Sequence, residues 1–385
     1  MIYLDNAAST KIHEDVLESM IPYLKEQYGN PSSIHRYGRQ AHKAIEKART
    51  QIANLINADP SEILFTSGGT ESNNTALYGI AKKNPSSRII TSSIEHDAIL
   101  EPCKRLEKDG FDLVYLPVDN SGLVDPLILK NNLSENTSLV SIMFGNNEVG
   151  TIEPISDIVD ICKEKNIIFH TDAVQAIGKI SIDVKKLGVD LLSISSHKIN
   201  GPKGVGALYI KAGISIDPVI LGGGQENGLR SGTENVANIV GFGKACELSQ
   251  KNLEKNISKM RELRDYLSKK IIHEIPEVVL NGHPETRLPN NIHLTFLGVN
   301  GEDLLIKLDE YGIAASTGSA CSVQIQKASH VLQAMGFSHE QITGSLRLTI
   351  GISNNFEEMD KTVEILKNVV KELRSVSPFK EKYNF

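Results

Sequence analysis

Between about residues 60 and 210 the chain alternates short apolar runs with stretches long enough for one helix. The runs are Ile63–Phe65, Arg88–Ile90, Leu113–Leu116, Leu139–Met143, Ile167–Phe169, Leu191–Ile194 and Val205–Ile210, and they end in polar or glycine residues. That rhythm predicts an α/β fold, a mostly parallel sheet with helices on both faces. Ligands of such sheets bind beyond the carboxyl ends of the strands, so the residues that follow the runs are where chemistry is to be sought. Upstream, Ala41, Ala44, Ile45, Ala48, Ile52 and Leu55 recur at helical spacing. Downstream, Leu253, Ile257, Met260, Leu263, Leu267 and Ile271 predict a long amphipathic helix that bridges to a second unit. That unit holds strands near Val278–Leu280, Asn291–Phe296 and Leu346–Ile350. It closes with a helix after Asn354, with Glu357 as capping-box partner and Met359, Val363, Leu366, Val370 and Leu373 on the apolar face. The expected division is a large domain over 15–255 and a small domain made of 1–14 and 256–385.

The chain's 385 residues suffice for that arrangement. A net charge of −6 offers no electrostatic footprint for nucleic acid or a bilayer. No apolar run approaches the roughly 18 residues that span a membrane. The start, Met1-Ile2-Tyr3-Leu4-Asp5, lacks a basic region and an apolar signal core, so a cytoplasmic protein is expected. Cys103, Cys162, Cys246 and Cys321 are widely scattered, with no CxxC pair or Cys/His cluster. Free thiols in a reducing compartment, and no closed metal site, follow from that.

Two strand ends carry the strongest chemical signal. Ser195-Ser196-His197-Lys198 follows one apolar run and precedes a glycine turn at Gly201-Pro202-Lys203-Gly204; His170-Thr171-Asp172 ends another, with Gln175 close by. A desolvated lysine loses its proton and attacks a carbonyl to form an imine. An aspartate beside it suits the pyridinium nitrogen of pyridoxal phosphate. Alone, such a lysine is ordinarily a surface residue and such an aspartate a helix cap; the pairing points to the cofactor. Phe65-Thr66-Ser67-Gly68-Gly69-Thr70-Glu71 reads as strand, glycine turn and helix start, which gathers backbone N–H groups for a phosphate. No GxxxxGK[ST] motif is present, which disfavours a nucleotide triphosphatase. Ser195 and His197, two apart on a strand, are expected to face the same phosphate.

His96 ends a further run and either stacks on the ring and moves protons or is a satisfied histidine before a helix. Asn147, before a glycine turn, is a candidate ring or substrate contact. Arg347, mid-strand among apolar residues, needs an anion: an amino-acid carboxylate or a structural partner. Cys321 lies in Ser316-Thr317-Gly318-Ser319-Ala320-Cys321-Ser322, small residues that suit an accessible loop, whereas the other three cysteines read as helix positions.

Taken together these segments resemble the cysteine desulfurases of the NifS/IscS kind, within the class V aminotransferases. The likeness covers nearly the whole chain: YLDNAAST at 3–10, YGNPSSIH at 28–35, TSGGTES at 66–72, SSIEHDA at 92–98, NNEVGT at 146–151, HTDAVQAIGK at 170–179, SSHKINGPKGVGALY at 195–209, RSGTEN at 230–235 and STGSACS at 316–322. The resemblance implies the pyridoxal-phosphate-dependent transferase fold of type I, with a small α+β C-terminal domain. It implies conversion of L-cysteine to L-alanine, with Lys198 as the cofactor-bound lysine and Cys321 as the thiol that receives sulfur. Asp172 then meets the pyridinium nitrogen, Gln175 the ring hydroxyl and His96 the ring face. Gly69, Thr70, Ser195 and His197 hold the phosphate, joined by Thr233 from a second subunit. Asn147 and Arg347, with Asn30, meet the substrate. The resemblance also implies a homodimer that feeds an iron–sulfur scaffold protein or tRNA thiolation, with Cys321 a transient cluster ligand alongside the scaffold. The segment from Cys321 to Leu332 has the length of the long mobile cysteine loop in some members. Two departures stand out: Ala328 where many relatives have proline, and a short tail after Pro378, which weakens the expectation of scaffold docking. A selenocysteine lyase or another β-eliminating enzyme shares the cofactor apparatus and is the alternative.

Overall fold

The computed structural model describes residues 1–317, 328–378 and 383. After a two-residue β1 (Ile2–Tyr3), the predicted runs become β2 (Ile63–Thr66), β3 (Arg88–Ser92), β4 (Asp112–Leu116), β5 (Thr137–Ser141), β6 (Ile168–Asp172), β7 (Leu191–Ser195) and β8 (Gly206–Ile210). They form one seven-stranded sheet in the order β2-β8-β7-β6-β5-β3-β4. The pairs from β4 through β3, β5 and β6 to β7 are parallel. Only β8 breaks the direction, running antiparallel to both β2 and β7.

Adjacent residues of each strand feed opposite faces. Ile89, Leu139, Leu191 and Leu208 share a core with Leu77 and Ile80 of helix Gly69–Ala81 and with Ile99 and Leu106 of helix Asp97–Lys108. Ile90, Val140, Leu192 and Ala207 join Ile45 and Ile52 of helix Arg36–Ile56 and Phe242 of helix Val236–Lys251. Both faces being covered, the strands read as continuous apolar runs rather than alternating ones. Each fully buried isoleucine here contributes roughly 1.5–3 kcal/mol relative to exposure.

A second core gathers around a smaller antiparallel sheet. There β9 (Val278–Leu280), β10 (Asn291–Phe296) and β12 (Ser345–Thr349) lie in the order β12-β10-β9, and β11 (Ile313–Ala314) pairs in parallel with β1. Leu294, Phe296, Leu346 and Leu348 pack against Leu263 and Leu267 of helix Leu253–Glu274 and Met359, Val363 and Leu366 of helix Phe356–Ser375. Ile2 and Leu4 belong to the same core.

Two local expectations fail. The last helix is capped by Asn355 with Glu358, one residue later than Asn354 and Glu357. Buried Asn354 is already committed: its Oδ1 accepts from the Gly351 N–H at 2.7 Å. His197 is not on a strand, because β7 ends at Ser195 and Ser196–Lys198 form a single 3₁₀ turn. The turn arises where the Ile199 and Gly201 N–H groups both donate to the Ser196 carbonyl.

Candidate active site

The carboxyl ends of β6 and β7 open onto a cavity of about 340 Å³. Asp172, the last residue of β6, reaches it nearly buried. One carboxylate oxygen accepts from the Val174 N–H at 2.9 Å; the other accepts from Asn73 Nδ2 at 2.6 Å. Both bonds fix the direction in which its charge is presented. Asn73 lies on helix Gly69–Ala81 and was not singled out from sequence; mid-helix it reads as an ordinary polar position.

Lys198 enters from the turn after β7. Its Nζ donates to the Ala7 carbonyl at 2.5 Å and the Ala8 carbonyl at 2.9 Å. Gln175 Nε2 donates to the same Ala7 carbonyl at 2.9 Å. Farther along, Thr10 Oγ1 donates to the His197 carbonyl at 2.8 Å and accepts from the Asn200 N–H at 2.7 Å. The N-terminal segment after β1 thus straps the turn that bears the lysine. Backbone carbonyls have no side-chain signature, so sequence patterning could not have found this.

At the other side of the cavity, helix Gly69–Ala81 starts with no side-chain cap on its N-cap residue Gly68. Its first N–H groups are therefore open to an anion, and Gly69 and Thr70 line the cavity. A Cβ on Gly69 would stand 2.7 Å from Val174 Cγ2, so any larger residue here must displace that valine. Ser195 and His197 line the same cavity despite the turn between them. Burial first, then Lys198, Lys203 and Lys179, push the His197 imidazolium down to about 4. It is neutral near pH 7 and retains one N–H to donate. An uncapped helix start, a glycine cradle, a held carboxylate and a tethered amine around one cavity fit pyridoxal phosphate. Asp172 would take the ring nitrogen, Lys198 the aldehyde carbon, and Gly69, Thr70, Ser195 and His197 the phosphate.

His96 also lines the cavity, and it is at once an N-cap: its Nδ1 accepts from the Ala98 N–H at 3.0 Å. That bond leaves the proton of the neutral ring on Nε2. Behind it, Glu95 is fully buried and its carboxyl is pushed up to about 8 by that burial. Glu95 Oε1 accepts from Ser92 Oγ at 2.6 Å and the Met143 N–H at 2.9 Å, which joins the end of β3 to the chain after β5.

Arg347 realises the structural reading of its charge while facing the cavity. Its Nη2 meets Asp5 Oδ1 at 2.9 Å and its Nη1 donates to the Asn147 carbonyl at 2.9 Å. Asn147 lines the cavity beside it. Burial raises the Asp5 carboxyl, and Arg347 opposes that rise.

Not every predicted residue comes to this place. Asn30 is exposed, its Oδ1 occupied by the Ser32 N–H at 2.9 Å, and Thr233 is exposed away from the cavity lining. Cys321 and its neighbours in 318–327 lie outside the described residues. The chain on either side is described. The Arg347 N–H donates to the Ser316 carbonyl at 2.6 Å, and Ser329 Oγ donates to Glu148 at 2.5 Å. His330 Nε2 lies 2.9 Å from the Glu95 carbonyl. Both roots of the segment are fastened next to cavity residues. The remaining cysteines are buried on helices, and burial pushes the Cys103 and Cys162 thiols up to about 12 and Cys246 well above its usual value. As thiols at neutral pH they are poor nucleophiles.

Residues 2–362 match the aminotransferase class-V family. The chain belongs to that family. It is 52% identical over 384 residues to the cysteine desulfurase IscS of Dictyoglomus turgidum, covering 99% of this chain and 98% of that protein. It is 50% identical to the cysteine desulfurase IscS of Methanosarcina thermophila, over 99% of this chain and 95% of the relative. Among solved structures, a NifS-like protein superposes with a TM-score of 0.91 at 41% identity, covering 97% of this chain and all of the other. A structure described as SspA in complex with cysteine matches with a TM-score of 0.82 at 38% identity, over 92% of this chain and 100% of that one. The fold is thus that of the pyridoxal-phosphate-dependent transferases of type I, as expected.

Proposed function

We infer that Lys198, Asp172 and Cys321 divide the work of one reaction. The chain is a pyridoxal-phosphate-dependent cysteine desulfurase, which splits L-cysteine into L-alanine and a sulfur atom carried on an enzyme thiol. The observation that carries this reading is the single cavity that receives the Lys198 amine, the Asp172 carboxylate, the open start of helix Gly69–Ala81 and the Arg347 guanidinium. Pyridoxal phosphate, when bound, supplies an electron sink for the substrate's Cα.

The chain's own groups do the rest. Lys198, once freed, takes the Cα proton and returns one to the carbon that becomes the alanine methyl. Asp172, held by Asn73 and the Val174 N–H, keeps a fixed negative charge toward the ring nitrogen. Arg347 takes the substrate carboxylate while remaining paired with Asp5, and Asn147 orients the same end. His96 would lie against the ring, its Nδ1 occupied by the Ala98 N–H and its Nε2 available to donate. The Cys321 thiolate attacks the substrate sulfur; an S–S bond forms, the C–S bond breaks, and its electrons stay with the carbon fragment. Reach supports this assignment. Cys321 is five residues from Ser316 and eight from Ser329, and a chain spans at most roughly 3.6 Å per residue. It is therefore tethered within about 18 Å of a residue bonded to Arg347.

Thr233, exposed in the single chain, is assigned to the phosphate of a partner subunit, so the working unit is a homodimer. A cytoplasmic location and delivery of sulfur to an iron–sulfur scaffold or to tRNA thiolation complete the proposal. No described helix is long and apolar enough to cross a membrane. The core around the antiparallel sheet, distinct from those on the two faces of the main sheet, supports a large domain over 15–255 and a small one from 1–14 and 256–385, and a further cluster of Ile94, Met143 and Val149 with Val331, Leu332 and Met335 joins the two. The test is to incubate the enzyme with L-cysteine and measure alanine together with the mass of the Cys321 peptide. A gain of one sulfur on that peptide is expected. Cys321→Ala should keep the bound cofactor's colour and lose persulfide formation; full sulfur transfer by that variant would overturn the assignment.

A further inference from the structure

A second cavity, about 300 Å³, lies on the far side of the Lys198 turn, where the two cores meet. Its walls come from the N-terminal segment after β1 (Thr10, His13), the turns at Gly178–Lys179 and Lys198–Asn200, the junction of helices Val236–Lys251 and Leu253–Glu274, and Ile350–Ile352 after β12. Four lysines line it: Lys179, Lys198, Lys255 and Lys259. Among the described residues, no aspartate or glutamate does. In a chain with net charge −6, that local balance is inverted.

Lys179 sharpens the point. It is 5% exposed and has no carboxylate partner among the described residues. Its Nζ donates to the Gln175 carbonyl at 3.1 Å and, at 3.5 Å, to that of Lys198. An ammonium has three donors, so one is left to face the cavity. A buried charge without a counter-ion is costly, and here burial, followed by the nearby Lys198, pushes the amine down to about 7. Nearer solvent, Lys255 is exposed with no ion pair among the described residues, and Lys259 Nζ donates to the Ile352 carbonyl at 2.7 Å.

We propose that this cavity is an anion site, taking a small oxyanion with two or more negative charges between Lys179 inside and Lys255 and Lys259 at the opening. The ligand class is a phosphoryl group or a dicarboxylate. Its bonds would cross from one core to the other and end on the residue that supports the Lys198 peptide. The proposal does not depend on the desulfurase reading, since the lysines at the opening take no part in that chemistry.

The test uses the holoenzyme, in which the cofactor already fills the other phosphate cradle. Thermal unfolding is followed while inorganic phosphate, or malonate, replaces chloride at constant ionic strength. A saturable rise in the unfolding midpoint is expected with at least one of them. A rise with phosphate alone assigns the phosphoryl class; with malonate alone, the dicarboxylate class. Lys255→Gln and Lys259→Gln should each reduce the rise, and the double variant should abolish it. No saturable rise with either anion, or an undiminished rise in the double variant, overturns the proposal. Should the variants fold poorly, amine acylation of the wild-type protein gives a second readout. The anion should shield Lys255 and Lys259 but not Lys130, which does not line the cavity; equal labelling with and without it would likewise refute the site.

Discussion

Replacing Asn73 tests whether the Asp172 carboxylate is held as described. Asn73 is 1% exposed and its 2.6 Å bond is one of two that Asp172 receives. Asn73→Ala leaves one oxygen of a nearly buried carboxylate without its donor. Hydrogen bonds to charged groups are worth roughly 1.5–3 kcal/mol. Unfolding entropy of about 2.1 cal/mol/K per residue makes roughly 0.8 kcal/mol/K for a chain of this length. The apoenzyme's midpoint should therefore fall by about 2–4 °C. Asn73→Asp is the sharper probe, since it sets a second carboxylate against the first. The two must then share a proton or repel, which blunts the charge aimed at the ring nitrogen. The assays are thermal unfolding of the apoenzyme, and cofactor retention with the visible spectrum of the holoenzyme. Asn73→Asp should bind cofactor more weakly and show an altered, pH-dependent spectrum. If both variants unfold within half a degree or so of wild type and keep an unchanged spectrum, Asn73 does not orient Asp172.

Further outcomes follow from other contacts. Gly69→Ala drives a methyl to 2.7 Å from Val174 Cγ2; overpacking of roughly 1–3 kcal/mol at the phosphate cradle should weaken cofactor binding about tenfold or more in a titration of apoenzyme, and unchanged affinity would count against the cradle. Lys198→Ala should abolish the holoenzyme's normal visible absorbance, so an unaltered spectrum would remove Lys198 from its role. Glu153 is buried and its carboxyl is pushed up to about 8 by that burial. The folded protein keeps a proton that the unfolded chain releases above about 4.5, so Glu153 costs stability progressively as pH rises from about 4.5 to 8. Glu153→Gln, which can still accept from the Val124 N–H, should match wild type near pH 4.5 and exceed it in unfolding midpoint by pH 8. A gap that does not change with pH would contradict this.

Much of the scaffold could be read from residue order because both faces of the main sheet are covered. Ile89 and Ile90 must both be apolar, and a run of such residues with turn signals after it marks a strand and its functional end together. Lys198 and Asp172 were legible for the same reason. What escaped were supports whose chemistry is not in a distinctive side chain. The Ala7 and Ala8 carbonyls are invisible in sequence. Asn73 resembles any polar residue of a helix, and its partner is 99 positions away. The single turn that takes His197 off β7 depends on Ser196 accepting two backbone bonds, which no periodicity announces. The Asn354 side chain, spent on Gly351, likewise moved a helix start by one residue.

Ala7 sits astride the molecule's two halves. Its N–H is held by Thr349 Oγ1 of the second core at 2.9 Å, while its carbonyl receives both Lys198 and Gln175. A single residue therefore links the core around the antiparallel sheet to the turn that bears Lys198. Were the lysine amine engaged elsewhere, Gln175 would keep that carbonyl in place, so the seat of the N-terminal segment outlasts the loss of the Lys198 bond.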